Sequence, residues 1–169
     1  MLKSEDIAGL KYTPAPAMSL IELADVTGMG VVELAGSCVR RLYEKSPNPP
    51  TCIANAGAYH FTQGIFSAIE AIQPSLRGEY EITDAIQLLI DTGMEVSYRF
   101  VSTWRDIGYP WDLLTINEEL LKSIDSTQEG IIEAGAVLKG SVIVGRNSLI
   151  RSGSYITGPV VVGKNCDIG

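Results

Sequence analysis

The chain has 169 residues, 46% of them apolar, and a formal charge of −7. That is enough chain for one packed domain or two small ones. The acidic balance, with thirteen Lys and Arg scattered along the sequence, excludes the basic stripe that a nucleic-acid surface needs, while one or two local cations still suffice for a sugar phosphate. No apolar run approaches the roughly 20 residues that span a bilayer, and Met1-Leu2-Lys3-Ser4-Glu5-Asp6 is too acidic for a leader. A cytoplasmic protein without a membrane partner is expected.

In chain order, 17–24 reads as a strand after the Pro14-Ala15-Pro16 punctuation. Gly30 to Leu34 and Val39 to Tyr43 read as a hairpin about Ala35-Gly36-Ser37. Ser46-Pro47-Asn48-Pro49-Pro50 forms a stiff loop, and Ala54 to Phe61 the next strand. Thr62 is placed to cap a helix from Gln63 to Ile72, with Ile65, Ile69 and Ile72 on one stripe. Ile82, Ile86, Leu89 and Ile90 mark a second helix ending at Gly93, Glu95 to Ser102 a strand, and Pro110 the opening of a third helix through Leu121. Alternating strands and helices predict a mixed α/β layer structure.

After Gly130 the period changes. Ile132, Leu138, Val144, Ile150, Ile156, Val162 and Ile168 recur every six residues, a spacing that no helix or flat strand has. An eighteen-residue period overlies it: Gly135 returns as Gly153, Gly140 as Gly158, and Val144-Gly145-Arg146-Asn147-Ser148 as Val162-Gly163-Lys164-Asn165-Cys166. Three hexads per coil predict a triangular parallel β-helix, with Gly and Asn at corners that need positive φ. The hexads resemble those of the left-handed β-helix of hexapeptide-repeat transferases.

The order Glu44-Lys45, then Asn55-Ala56-Gly57, then Arg77-Gly78-Glu79-Tyr80-Glu81-Ile82-Thr83-Asp84, then Trp104-Arg105-Asp106-Ile107-Gly108 resembles the second half of the sugar-1-phosphate nucleotidyltransferases, of the glucose-1-phosphate thymidylyltransferase kind. The resemblance covers about 17–125, and the hexads cover 131–169. It implies the C-terminal half of a mixed-sheet nucleotidyltransferase domain over 1–125 and about two β-helix coils over 126–169. In that family a glycine-rich loop holds the triphosphate; residues 1–43 offer only Gly28-Met29-Gly30 without a basic partner. The chain is therefore expected to be a fragment, inactive alone, with the nucleoside triphosphate bound through the missing half.

The resemblance further implies substrate-binding roles for Glu44, Lys45, Asn55, Gly57 and Trp104. Glu44 and Asn55 would meet sugar hydroxyls, Lys45 the phosphate, and Gly57 would leave room for the ring. Asp106 would supply one oxygen to magnesium, the expected cofactor. Ser46 stands where the family has proline. Glu79, Glu81 and Asp84 read as an acidic first helical turn rather than as an acid–base pair, His60 as a packed side chain, and Cys38, Cys52 and Cys166 as idle thiols. Two parents fit: a thymidylyltransferase with a hexapeptide tail, or a bifunctional nucleotidyltransferase and acetyltransferase. Hexapeptide acetyltransferases use a histidine near the coils, and 126–169 contains none. A non-catalytic sugar-phosphate-binding subunit and an acyltransferase with catalytic coils beyond Gly169 are the other readings. Inward aliphatics left open at the last coil predict self-association or disorder at that end, with a homo-oligomer the expected assembly.

Overall fold

The computed structural model describes residues 2–169, which form two compact units divided between Arg105 and Asp106. The first begins with a helix absent from the sequence reading, α1 (Ser4–Lys11), which buries Asp6 and Leu10. Then come β1 (Ala17–Glu22), β2 (Gly30–Ala35), β3 (Cys38–Glu44), β4 (Ile53–His60), α2 (Gly64–Ala71), α3 (Ile82–Asp91) and β5 (Val96–Phe100).

The five strands do not form an open half-sheet. They close in the order β1-β4-β2-β3-β5, because β5 pairs in parallel with β1 and antiparallel with β3. The hairpin turns at Gly36-Ser37, where Gly36 takes φ +60 and Ala35 faces Cys38 across the ladder. The inner faces of the strands and α3 supply Met18, Leu20, Val32, Val96 and Ile86, each 1% exposed or less. Burying side chains of that size contributes roughly 1.5–3 kcal/mol each.

Several details depart from the sequence reading. Thr62 does not cap α2: the N-cap is Gln63 without a side-chain bond, and Thr62 only accepts the Ile65 N–H through its carbonyl. Ile65 is buried and Ile72 packs half-buried against the same core, but Ile69 between them is exposed, so two of the three stripe residues face inward. Glu79 and Glu81 lie before α3 rather than in its first turn; their carboxylates bind Arg77, and only Asp84 is in that turn. α3 does end as expected, with Gly93 at φ +90 and Met94 N–H returning to Leu89 O.

The second unit holds α4 (Asp112–Leu121), which starts two residues after Pro110. Of its apolar residues Ile116 is buried, whereas Leu113, Leu114 and Leu120 are exposed. Eight short strands follow: β6 (Thr127–Gln128), β7 (Ile131–Ile132), β8 (Val137–Lys139), β9 (Val142–Val144), β10 (Leu149–Ile150), β11 (Tyr155–Thr157), β12 (Val160–Val162) and β13 (Asp167–Ile168). They fall in rotation into three parallel ladders, β6-β9-β12, β7-β10-β13 and β8-β11. From β7 onward the register steps by eighteen residues: Ile132, Ile150 and Ile168 align in one ladder, Leu138 and Ile156 in the second, Val144 and Val162 in the third, whereas β6 meets β9 at a step of sixteen, Gln128 opposite Val144. Ile150 is fully buried between its neighbours.

Corners carry the expected geometry at Gly135, Gly140, Asn147, Gly153 and Asn165, all with positive φ. Gly158 is different. Its φ is not positive, and a β-carbon there would strike the Ser141 backbone, so close approach rather than conformation requires glycine. Ser148, 1% exposed, donates to Gly163 O at 2.6 Å and accepts the Cys166 N–H at 3.0 Å, which satisfies its buried hydroxyl. No helix among the described residues is long and apolar enough to cross a membrane.

Candidate functional site

Glu44 ends β3 opposite Gly30, and Val31 pairs with Ala54, so this register sets Glu44, Gly30 and Asn55 side by side. A β-carbon on Gly30 would fall 2.9 Å from Glu44 Oε2 and 3.8 Å from Asn55 Cβ. Glycine therefore leaves the gap that the Glu44 carboxylate occupies. Thr83, buried in the first turn of α3, donates to Glu44 Oε2 at 3.0 Å.

Asn55 is fixed at both ends of its amide. Its Oδ1 accepts the Gly57 N–H at 3.0 Å, and its Nδ2 donates to the Tyr59 hydroxyl at 2.6 Å. Between them β4 bulges, since Leu20 faces Asn55 while Met18 already faces Tyr59. Ser19 Oγ bridges the Ala58 N–H and C=O there. Gly57 sits in the bulge at φ +80, and a β-carbon on it would meet nothing within 4 Å. Backbone conformation, in addition to any room for a sugar ring, accounts for the glycine. Trp104 donates its indole N–H to Ala56 O at 3.0 Å, between Asn55 and Gly57 on the same strand.

Tyr59 stacks on Phe61 with centroids 5.1 Å apart. Burial raises its hydroxyl pKa, the Asn55 hydrogen bond pulls it back in part, and the Glu44 charge adds to the rise. The hydroxyl stays protonated at neutral pH and can donate.

Lys45 is exposed, with φ +44 and its N–H on Met29 O at 3.1 Å. A left-handed lysine turns the chain at the point where the family has proline one residue later. Its charge reaches Glu81.

Sequence reasoning missed Arg77, a second cation at this place. A Ser75–Glu79 turn with Gly78 at φ +76 presents it. Its Nη2 lies 2.6 Å from Glu79, 2.5 Å from Glu81 and 4.0 Å from Glu44. The Glu81 hydrogen bond raises the Arg77 pKa, and the Arg77 hydrogen bond lowers that of Glu81. All three contacts run through one nitrogen, and a guanidinium has enough N–H groups to hold an oxyanion bidentately as well. The signal was a lone arginine among Glu79, Glu81 and Asp84, inside the motif that carries the resemblance. The constellation thus presents hydroxyl acceptors at Glu44 and Asn55 beside cations at Lys45 and Arg77.

Asp106 opens the second unit. It is exposed, and its Oδ1 accepts the Ile107 N–H at 2.9 Å; Asp112 Oδ2 accepts the Gly108 and Tyr109 N–H groups at 3.1 and 2.9 Å. Among the described residues no three His, Cys, Asp or Glu side chains converge as a metal cage. Asp106 fits one oxygen ligand of a mostly hydrated magnesium, not a complete site. His60 Nδ1 lies 3.2 Å from Thr13 O, and all three cysteines are free thiols. A cleft of about 460 Å³ lined by Glu33, Arg40, Arg41, Tyr43, Gln87 and Asp91 shares no residue with the Glu44 cluster. Its charges are partly spent on one another, Glu33 with Arg40 and with Tyr43.

The profile of the nucleotidyl transferase family matches residues 17–123. The chain belongs to that family. A glucose-1-phosphate thymidylyltransferase of Streptomyces antibioticus is 38% identical over 137 residues, which are 80% of this chain and 38% of that protein. The bifunctional protein GlmU of Methanocaldococcus jannaschii is 38% identical over 135 residues, 80% of this chain and 33% of that protein. The chain thus spans well under half the length of these relatives. A crystal structure of a Bacillus anthracis protein described as a glucose-1-phosphate thymidylyltransferase superposes with a TM-score of 0.54 at 27% identity, covering 73% of this chain and 49% of that one. The family match takes in every element of the Glu44 constellation and stops short of the parallel ladders.

Proposed function

We propose that the Glu44 constellation is the sugar-phosphate wall of a sugar-1-phosphate nucleotidyltransferase. The reaction joins a nucleoside triphosphate and a sugar-1-phosphate into an NDP-sugar, of the dTDP-glucose or UDP-sugar type. A phosphate oxygen of the sugar-1-phosphate attacks the α-phosphorus in line, the new P–O bond forms as the bond to the β-phosphate oxygen breaks, and pyrophosphate leaves. The supporting observation is that Gly30, Thr83 and the Asn55 bulge hold two hydroxyl acceptors beside Lys45 and Arg77.

Glu44 and Asn55 orient the sugar, while Lys45 and Arg77 hold its phosphate with the attacking oxygen exposed. Asp106 would hold magnesium through one carboxylate oxygen, and the ion, when bound, would supply neutralisation of phosphate charge. Triphosphate binding and base choice are assigned to none of these residues. The GlmU relatives favour a second reading, a bifunctional enzyme; the single histidine of the sequence, His60, lies in β4, so acetyl transfer is not assigned to the coils described. The hexad spacing and the positive-φ Gly and Asn corners support a left-handed coil. Titration with glucose-1-phosphate, followed by backbone NMR shifts, tests the proposal. Shifts should concentrate at Lys45, Asn55, Gly57 and Arg77; shifts confined to other parts of the chain would refute it.

A further inference from the structure

We infer that Asp6 is a positioning residue for the Trp104 side of the sugar-phosphate site, an inference that rests on the function proposed above. Asp6 belongs to α1, ahead of the first residue that the family profile matches. It is only 8% exposed, and both of its carboxylate oxygens are used by one residue 96 positions later: Ser102 N–H donates to Oδ1 at 3.1 Å and Ser102 Oγ to Oδ2 at 3.0 Å. Paired, charge-assisted bonds of this kind fix a backbone position more firmly than neutral ones.

Ser102 is where the strand order ends. Val101 N–H still bonds Leu20 O at 2.9 Å, and from Val101 to Gly108 the chain has no helix or strand. Within that irregular stretch Trp104 reaches Ala56 O, on the residue between Asn55 and Gly57. Asp6 and Ala56 therefore fix the two ends of a three-residue span, and a shift at Ser102 is transmitted to the indole. α1 is itself seated, since Leu10 is 3% exposed and a β-carbon on Gly9 would fall 2.5 Å from Arg99 Nε. The helix outside the family match thereby reaches the strand that bears Asn55, through Ser102 and Trp104.

The test uses Asp6→Ala, Asp6→Asn, Trp104→Phe and the double variant Asp6→Ala/Trp104→Phe in the 169-residue chain. Hydrogen exchange of the Trp104 indole N–H is read by NMR, with the Trp111 indole and the Ile86 and Leu89 amides as controls. Asp6→Ala should speed Trp104 indole exchange by about tenfold or more while leaving the controls unchanged, as expected for a local opening. Asp6→Asn, which keeps an acceptor for the Ser102 N–H, should restore part of the protection, and it serves alone if the alanine variant does not fold: faster indole exchange with unchanged controls supports the assignment. Affinity for glucose-1-phosphate should fall with Asp6→Ala in the parent and fall no further with it in the Trp104→Phe background. Unchanged indole exchange, equal acceleration at Ile86 and Leu89, or full additivity in the double variant would overturn the inference. If the parent does not bind glucose-1-phosphate, the proposed function fails, and the exchange measurements still decide whether Asp6 positions Trp104.

Discussion

Thr83 Oγ1 donates a 3.0 Å hydrogen bond to Glu44 Oε2, joining the first turn of α3 to the end of β3. Glu44 Oε1 is the oxygen that faces Arg77, at 4.0 Å. Each oxygen of the carboxylate thus has its own orienting partner, and the group is set before a sugar arrives. Thr83→Val keeps the shape and removes the donor. It should cost about 1–2 kcal/mol of stability, since Thr83 is buried and the bond is to a charged group, and weaken glucose-1-phosphate binding. Denaturant melts and calorimetry check this; an unchanged midpoint and affinity would show that the bond orients nothing.

Acid should loosen the chain at two named pairs. The Arg77 hydrogen bond holds Glu81 below its ordinary carboxylate range, and Arg151 does the same for Asp167. A depressed folded-state value means that the stabilising contribution is complete above the unfolded carboxylate pKa. It is lost as pH falls through the folded-state values, below about pH 4. Urea melts between neutral pH and pH 3 should show this loss, and Arg77→Gln should make it shallower. An identical slope in the variant would remove Glu81 from the explanation.

Ile150 stacks between Ile132 and Ile168 and is fully buried. Ile150→Asp places an unpaired carboxylate inside the coil and should cost roughly 3–5 kcal/mol. Melting of the ladders followed by amide exchange at Leu138 and Val144 reports it directly. A midpoint within a degree of the parent would mean that residue 150 does not face the interior.

The ladders were legible from the sequence because each six-residue unit repeats one local geometry, so Ile132, Ile150 and Ile168 declare their stacking by spacing alone. Gly158 broke the pattern, since its need for glycine comes from the Ser141 backbone and not from its own φ. The Glu44 constellation was half legible: Glu44, Lys45 and Asn55 stand in a recognisable order, but Arg77 hid among acids that read equally well as a helix start. Gly30 and Thr83 were hidden because their contribution is contact with a residue far away in sequence. Closure of β5 onto β1, and the seat of Asp6 on Ser102, are likewise long-range pairings that periodicity does not encode.

Asp106 carries a prediction for an extended protein. Joined to the nucleotide-binding half of a matched relative, the chain should transfer nucleotide, and Asp106→Ala should lower its rate by about two orders of magnitude or more while the fold persists. The isolated chain should release no pyrophosphate. Release from it at a rate indifferent to Asp106→Ala would remove the metal assignment.

The most direct measurement is calorimetric titration of the 169-residue chain with glucose-1-phosphate, with glucose and inorganic phosphate as separate ligands. Joint use of the hydroxyl acceptors and the cations should give millimolar binding of glucose-1-phosphate, about 4 kcal/mol, and weaker binding of either half. Glu44→Gln should reduce glucose-1-phosphate binding through the sugar, and Arg77→Ala through the phosphate. Equal affinity for glucose-1-phosphate and inorganic phosphate, unchanged by Glu44→Gln, would show that these residues form no sugar-phosphate site.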